Sequence, residues 1–215
     1  MEHFSAQRLL RRLWLAAFFF CLSGLAVLIF GLERHRLAVI DAPVSHMLRA
    51  ERPQAFTAFM ESVTFFGSDL AVLGVTLATA LCLSAFKRRH ADALAFLLCT
   101  PGSIFIYRLL KDVFRRARPA AEHLVAAGGY SFPSGHATMA MACYGMFAYL
   151  VCKHFCRNVK GVILTVLLAG MWIVLIAASR VYLGVHYPTD VLAGFFVGSA
   201  WLLVCIWINR RIEAP

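Results

Sequence analysis

Charged residues are scarce in this chain, and acidic residues are the scarcest of them. Only 15% of the 215 residues are charged, with 11 Asp and Glu against 21 Lys and Arg, whereas 61% are hydrophobic. A soluble domain of this length cannot bury so much apolar surface. The composition therefore excludes an ordinary soluble domain and predicts an integral membrane protein.

Three further absences narrow the class of protein that this sequence can encode. No His, Cys, Asp or Glu cluster has metal-ligand spacing, so we expect neither a bound metal nor another cofactor. No basic stripe with interleaved aromatic residues is present, which argues against a nucleic-acid partner despite the net charge of +10. The cysteines are odd in number and lie within or at the ends of apolar runs, so we expect free thiols. They are Cys21, Cys82, Cys99, Cys143, Cys152, Cys156 and Cys205.

Six apolar runs approach the roughly 20 residues that a membrane-spanning helix needs. We therefore predict an all-α, polytopic membrane protein. The first run is longer than the ~7–15-residue core of a cleaved signal, and no small-x-small cleavage site precedes Glu33, so we interpret it as a retained anchor. The predicted spans are Leu13–Leu32, Asp69–Phe86, Ala91–Leu110, Ala137–Phe155, Val162–Ala178 and Val191–Ile208.

Basic residues predict the orientation of the chain. With six spans, four basic clusters fall on one face, which the positive-inside rule assigns to the cytoplasm. We therefore predict a multi-pass protein of the cell (inner) membrane with both termini in the cytoplasm. The clusters are Arg8/Arg11/Arg12, Lys87–His90, Lys153/Arg157/Lys160 and Arg210/Arg211.

The sequence leaves two alternative roles for each of two segments on the opposite face. Between the first and second spans, the apolar residues from Val44 to Val63 recur at broadly helical spacing. This spacing predicts one or two amphipathic helices in the membrane interface, as a flap over a lipid entrance or as a connector. The small residues of "AAEHLVAAGGY" (120–130) are equally consistent with a mobile gate or a connector.

Basic residues on this outer face predict an anion site, because orientation bias does not account for them. In "KDVFRRARP", we expect the helix to continue to about Arg115, which places Lys111 and Arg115 on one helix face. Pro119 would end the helix and hold Arg118 extended, so that Lys111 and Arg118 approach one anion from two directions. The basic residues are Lys111, Arg115, Arg116, Arg118 and Arg180.

A second motif, "PSGH", opens the fourth span. Ser134 is a natural N-cap, and Gly135 leaves the first turn uncovered. The free N–H groups of a helix start, a hydroxyl and the absence of a side chain predict a phosphate cradle. His136 follows in the first turn, where a bound phosphate favours its protonated form.

The third motif is "SRVYLGVHYPTD". Pro188 fits the first position of the sixth predicted span, which places Asp190 in its first turn. From there the carboxylate can reach the ring of His186 and leave the other ring nitrogen unprotonated, as a nucleophile requires. Arg180 adds a further cation beside the pair.

Together, "KDVFRRARP", "PSGH" and "SRVYLGVHYPTD" resemble the three-part signature of the type 2 phosphatidic acid phosphatase superfamily, which includes lipid phosphate phosphatases and vanadium haloperoxidases. The resemblance implies that His186 is a nucleophile that forms a phosphohistidine, and that Asp190 orients it. It implies that His136 protonates the leaving group and then helps to activate water. It also implies that the phosphate oxygens are held by Lys111, Arg118, Ser134, Gly135 and Arg180.

We therefore expect residues 1–215 to form one membrane phosphatase domain, with its catalytic motifs in 111–190 and its active site at the outer (periplasmic) face. The expected partners are the bilayer and a lipid phosphate monoester or diphosphate, such as phosphatidylglycerophosphate, phosphatidic acid or undecaprenyl diphosphate. A phosphotransferase acting on a lipid or sugar acceptor and a non-enzymatic membrane transporter are the alternatives. The apolar spans disfavour a soluble haloperoxidase, and nothing in the sequence predicts the oligomeric state.

Overall fold

The computed structural model describes the backbone of residues 2–86, 89–120 and 122–213, and their side chains except those of 2–8 and 10. Over these ranges the regular secondary structure consists of eight helices, which confirms the all-α prediction. Lys87, Arg88 and the side chain of Arg8, all in predicted basic clusters, lie outside the described part, as does Ala121. The helices are α1 (Glu2–Glu33), α2 (Ala38–Arg49), α3 (Gln54–Phe65), α4 (Asp69–Ser84), α5 (His90–Phe114), α6 (Gly135–Phe155), α7 (Val159–Tyr182) and α8 (Pro188–Glu213).

Each predicted span coincides with one helix, although α4 ends at Ser84, two residues before the predicted end. Among the described residues, α1, α5, α7 and α8 are long and apolar enough to cross a membrane. A fifth candidate is the pair α3 and α4, which bends by 51° and is either one broken span or a re-entrant loop. Since α6 is not among these helices, the predicted number of six spans stays a prediction.

The central helix of the bundle is α6, which packs against α5, α7 and α8. Two glycines of α8 allow the closest of these approaches. A methyl group on Gly194 would lie 2.7 Å from the carbonyl oxygen of Ser134, and one on Gly198 would lie 2.6 Å from that of Thr138. Small residues at such spacing let helix backbones approach closely in a membrane. The contact aligns the first turns of α6 and α8, where the Ser134 N–H donates to the Asp190 carbonyl at 2.9 Å.

The amphipathic segment between the first two predicted spans forms two helices, as expected. Helix α3 packs on α7, and α2 packs on both α7 and α8. The side chains of Arg49 and Arg52 donate to the carbonyls of Val181 (3.2 Å) and Tyr182 (2.9 Å), the last residues of α7. Positive charge is favoured at a helix C-terminus. The segment is therefore fixed to the end of the helix that carries Arg180.

A polar cluster closes the other end of the bundle. The carboxylate of Asp92, at the start of α5, is fully buried and pairs with Lys153 and His154 of α6 at 2.6 Å each. It also accepts a hydrogen bond from Asn209 of α8 at 3.0 Å, and Lys153 pairs with Glu213 at 2.6 Å. A buried carboxylate is tolerated only when it is paired in this way. The cluster therefore joins α5, α6 and α8 at the end remote from the three motifs.

The close contact between α6 and α8 is tested by Gly194→Ala. Because the added methyl group meets backbone atoms, we expect a loss of about 1–3 kcal/mol of stability, measured as a lower unfolding temperature in detergent. Gly170→Ala on α7 is the matched control, since a methyl group there meets no atom within 4 Å. The control should leave the unfolding temperature unchanged or raise it. Equal effects of the two substitutions would contradict the packing described.

Candidate active site

The three motifs meet where α5 ends, α6 begins and α7 turns into α8. Helix α5 ends at Phe114, close to the expected end at about Arg115, because Arg115 adopts a left-handed conformation with φ of 46°. The prediction that Pro119 ends this helix is therefore wrong. The prediction that Lys111 and Arg115 share a helix face is also wrong, because the exposed Arg115 guanidinium bonds back to the last turn of α5. Unwinding here lets the following arginines reach the α7–α8 turn.

His186 and Asp190 form the buried centre of the site. As predicted, α8 begins at Pro188 and Asp190 lies in its first turn. Nδ1 of His186, whose side chain is 2% exposed, lies 3.5 Å from Oδ2 of Asp190. The hydroxyl of Ser131 and the backbone N–H of Tyr187 both donate to this same Oδ2. The carboxylate is thereby held towards Nδ1, which leaves Nε2 directed away from it.

The buried position of His186 sets its charge. Burial lowers the pKa of His186 to about 4 although the hydrogen bond and charge of Asp190 oppose this shift, and the nearby cations Lys111 and Arg180 lower the pKa further. The ring is therefore neutral at physiological pH. A neutral imidazole that directs Nδ1–H at a carboxylate carries its lone pair on Nε2, which is the form a nucleophile requires.

Three of the five predicted anion-binding residues lie near the His186 ring, and Arg118 lies on its Nε2 side. Arg118 is 3.4 Å from Nε2, and Lys111 and Arg180 are close enough to act on the charge of the ring. Within the described part of the chain, none of the three forms an ion pair with a carboxylate. Their charge is available to a tetrahedral oxyanion. Their hydrogen bonds go to the carbonyls of Gly128, Gly129 and Val185 (Arg118), the carbonyl of Tyr130 (Lys111) and the hydroxyl of Thr64 (Arg180).

The start of α6 adds the second histidine. Ser134 is the N-cap, as predicted, and its hydroxyl accepts a hydrogen bond from a backbone N–H of the first turn. His136 is half-buried in that turn, within electrostatic range of His186, so the two histidines belong to one site. We expected Gly135 to leave room for phosphate, but the space beside it is occupied by another side chain. A methyl group there would lie 2.9 Å from the ring of Tyr107, so this glycine permits α6 to pack on α5.

The segment that follows the first motif packs over the α7–α8 turn. The Leu124 N–H donates to the Leu183 carbonyl at 3.0 Å. Gly184, with φ of +83°, adopts a conformation that favours glycine, and a methyl group there would lie 2.4 Å from the Glu122 carbonyl oxygen. Arg118 binds the carbonyls of the same segment. Residues 122–130 are thus attached to the site at both ends, which a plain connector does not require.

Sequence reasoning missed several polar residues of this site. Arg116, predicted to bind an anion, instead pairs with the carboxylates of Asp190 and Asp41, each at 2.6 Å. Ser131 lies just before the second motif and was given no role. Asp41 lies in the amphipathic segment, but no pattern in the sequence indicates that its carboxylate is buried against Arg116.

These features define the class of the protein: an all-helical membrane bundle with a buried histidine–aspartate pair beside unneutralised cations at one end. A family model described as "PAP2 superfamily" matches residues 92–213, more than half of the chain. The chain belongs to the PAP2 superfamily, as the motifs implied.

Individual relatives agree with this assignment. Phosphatidylglycerophosphatase B of Bacillus subtilis (strain 168) is 36% identical over 128 residues, 60% of this chain and 63% of that protein, so the match spans less than two thirds of the relative. Lipid A 1-phosphatase of Rhizobium etli is 29% identical over 221 residues, 92% of this chain and 86% of that protein. A crystal structure described as the first transmembrane PAP2 type phosphatidylglycerolphosphate phosphatase from Bacillus subtilis has a TM-score of 0.82 at 28% identity. It covers 93% of this chain and 97% of that one, which confirms the polytopic all-α fold.

The charge of His186 is open to direct measurement. In protein labelled with ¹⁵N-histidine, we expect the His186 ring to remain neutral as the pH falls and to titrate at about 4, because burial disfavours its charged form. The spectrum of the His186→Ala protein, which lacks this ring, assigns its signal. Titration of His186 near 6.5 would contradict the buried, neutral nucleophile.

Proposed function

We propose that this protein is an integral membrane lipid phosphatase that hydrolyses a phosphate monoester or diphosphate through a phosphohistidine intermediate, with residues 111–190 as its catalytic part. The observation that carries the proposal is the arrangement around His186. One ring nitrogen faces a buried carboxylate, and the other lies 3.4 Å from the guanidinium of Arg118, which has no carboxylate partner in the described part of the chain. Membership of a superfamily whose members include named lipid phosphatases supports the same conclusion.

In the first proposed step, Nε2 of His186 attacks phosphorus. A P–N bond forms while the bond from phosphorus to the leaving oxygen breaks, and His136 gives that oxygen a proton. Asp190 holds Nδ1–H and stabilises the positive charge that develops on the ring. Burial and the neighbouring cations lower the pKa of His136, and a dianionic phosphate bound beside it opposes this shift and favours the protonated form that the step needs.

In the second step, water attacks phosphorus and the P–N bond breaks. His136, now neutral, accepts a proton from the water, and inorganic phosphate leaves. Throughout both steps Lys111, Arg118 and Arg180 hold the equatorial oxygens, where negative charge accumulates in the transition state. The hydroxyl of Ser134 and the amide of Gly135 contribute at the start of α6. These fixed positive groups supply the stabilisation for which other phosphatases use a divalent ion, so we propose metal-independent catalysis.

We further propose that the site opens at the outer face of the inner membrane and that both termini are cytoplasmic. The basic residues at the ends of α6 and α8 support this orientation, because they lie at the end of the bundle remote from the site. Substrate access from the bilayer is supported by α3. This helix exposes Phe56 and Phe59, packs Phe56 edge-to-face against Tyr182 and contacts Arg180 through Thr64. A lipid tail on this face would place its head group near the cations.

A phosphate-release assay tests the function. The purified protein, in detergent, is given phosphatidic acid, phosphatidylglycerophosphate or undecaprenyl diphosphate, and free phosphate is measured. We expect release from at least one substrate, and a loss of roughly 10³-fold or more in His186→Ala, because the covalent step is removed. His90→Ala, a change of the same type at an exposed position remote from the motifs, should keep full activity.

Further arms of this assay separate the alternatives. EDTA should not reduce turnover, and loss with EDTA that Mg²⁺ restores would overturn the metal-independent mechanism. With an added alcohol acceptor, phosphoryl transfer in place of phosphate release would identify a phosphotransferase. Absence of phosphate release from every lipid, or full activity of the His186 variant, would overturn the phosphatase itself.

A further inference from the structure

The carboxylate of Asp190 is held on its second oxygen as well as on its first. While Oδ2 faces His186 and Ser131, Oδ1 is bound by Nη1 of Arg116 at 2.6 Å. The side chain of Asp190 is fully buried, and that of Arg116 is 12% exposed. The guanidinium also lies over the ring of Tyr187, with 4.2 Å to the ring centroid. The orientation of Asp190 is therefore set from both sides, and Arg116 sets it from the side remote from the histidine.

Arg116 is in turn positioned by Asp41 of α2, which comes from an element that carries none of the three motifs. Nη2 of Arg116 lies 2.6 Å from Oδ2 of Asp41, whose side chain is 2% exposed. The other oxygen of Asp41 accepts the backbone N–H of Thr189 at 2.9 Å, in the first turn of α8. The Thr189 hydroxyl bonds both Asp41 and Arg116 at 2.9 Å. Asp41 thus binds the start of the helix that presents Asp190 and caps one of its free N–H groups.

The charges of this network explain why two carboxylates share one guanidinium. If Arg116 paired with Asp190 alone, the two charges would cancel and the carboxylate would attract the His186 ring less strongly. Because Asp41 binds the same guanidinium, the charges of Asp41 and Arg116 cancel each other, and Asp190 keeps its negative charge. The two carboxylates hold the proton on Arg116 firmly: burial alone would lower its pKa, but Asp190 and Asp41 outweigh this and raise it.

We infer that Asp41 and Arg116 are positioning residues for catalysis, which fix the direction and preserve the charge of the Asp190 carboxylate and so fix the Nδ1–H form of His186. This inference rests on the proposed phosphatase function. It gives the amphipathic segment before the second predicted span a role in the active site. This role goes beyond the flap over a lipid entrance or the connector that the sequence suggested. It also separates Arg116 from Lys111 and Arg118 of the same motif, which have no carboxylate partner in the described residues.

The first variant is Asp41→Asn, which keeps the shape and the acceptor for the Thr189 N–H but removes the charge that shares Arg116. We expect kcat to fall by about 10- to 100-fold, as for other outer partners of catalytic groups, with KM little changed. Arg116→Lys, which keeps the charge but cannot bridge two carboxylates, should lower kcat in the same way. It provides a second test if the Asp41 variant does not fold.

Asp92→Asn is the matched control. It makes the same chemical change at an equally buried carboxylate, which binds Lys153 and His154 at the other end of the bundle. It is expected to lower the unfolding temperature but to leave kcat per folded molecule unchanged. A general effect of losing a buried charge would lower kcat equally in the Asp41 and Asp92 variants, and that result would overturn the inference.

Two readouts separate positioning from a structural role. In the Asp190→Asn background, Asp41→Asn should cause no further loss of kcat, because the group through which it acts has lost its charge; an additive loss would contradict the inference. In ¹⁵N-histidine spectra, Asp41→Asn should shift His186 from the Nδ1–H form towards the Nε2–H form. An unchanged tautomer would also contradict it. The tautomer needs no turnover, so it tests the inference even if no lipid releases phosphate and the proposed function fails.

Discussion

The buried carboxylate of Asp190 is the group on which the arrangement of this end of the molecule depends. It receives hydrogen bonds from Ser131 before α6, from Arg116 after α5 and from the turn that precedes α8. A buried carboxylate that loses its partner destabilises a protein by about 3–5 kcal/mol. Three segments that are distant in the sequence are therefore drawn to one point by the need to satisfy one charge. The same hydrogen bonds direct the carboxylate at His186. The contacts that stabilise the fold here therefore also orient the carboxylate towards the histidine.

The cations beside His186 work against this stability. Lys111, Arg118 and Arg180 repel one another, and their hydrogen-bond partners in the described residues are carbonyl oxygens, a hydroxyl and the His186 ring. Active sites commonly hold such unfavourable charge, and the rest of the fold compensates for it. Here the compensation comes from the close packing of α6 on α8 and from the ion-paired cluster around Asp92 at the other end. The packing of the remainder of the bundle keeps these cations in place beside His186.

Local sequence rules predicted those features that depend on neighbouring residues. Apolar runs located the helices, Ser134 was correctly identified as a cap, and Pro188 was correctly placed at the start of α8. The carboxylate–imidazole contact followed because Asp190 is only four residues from His186. The failures involve distant partners. Gly135 is small because Tyr107 packs against it, Arg115 ends α5 where Pro119 was expected to, and Arg116 pairs with Asp41 across 75 positions of sequence. No periodicity or motif in the sequence carries that pairing.

The central claim is that the neutral Nε2 of His186 takes the phosphoryl group, and trapping the covalent intermediate tests it most directly. The His136→Ala protein, which lacks the group proposed to activate water, is mixed with a phosphate ester that has a good leaving group, such as para-nitrophenyl phosphate. The reaction is quenched in alkali, where a P–N bond survives, and the modified peptide is mapped by mass spectrometry. The account predicts phosphate on His186 and none when His186 is also replaced. Phosphate on another residue, or leaving-group release without any covalent phosphate, would contradict it.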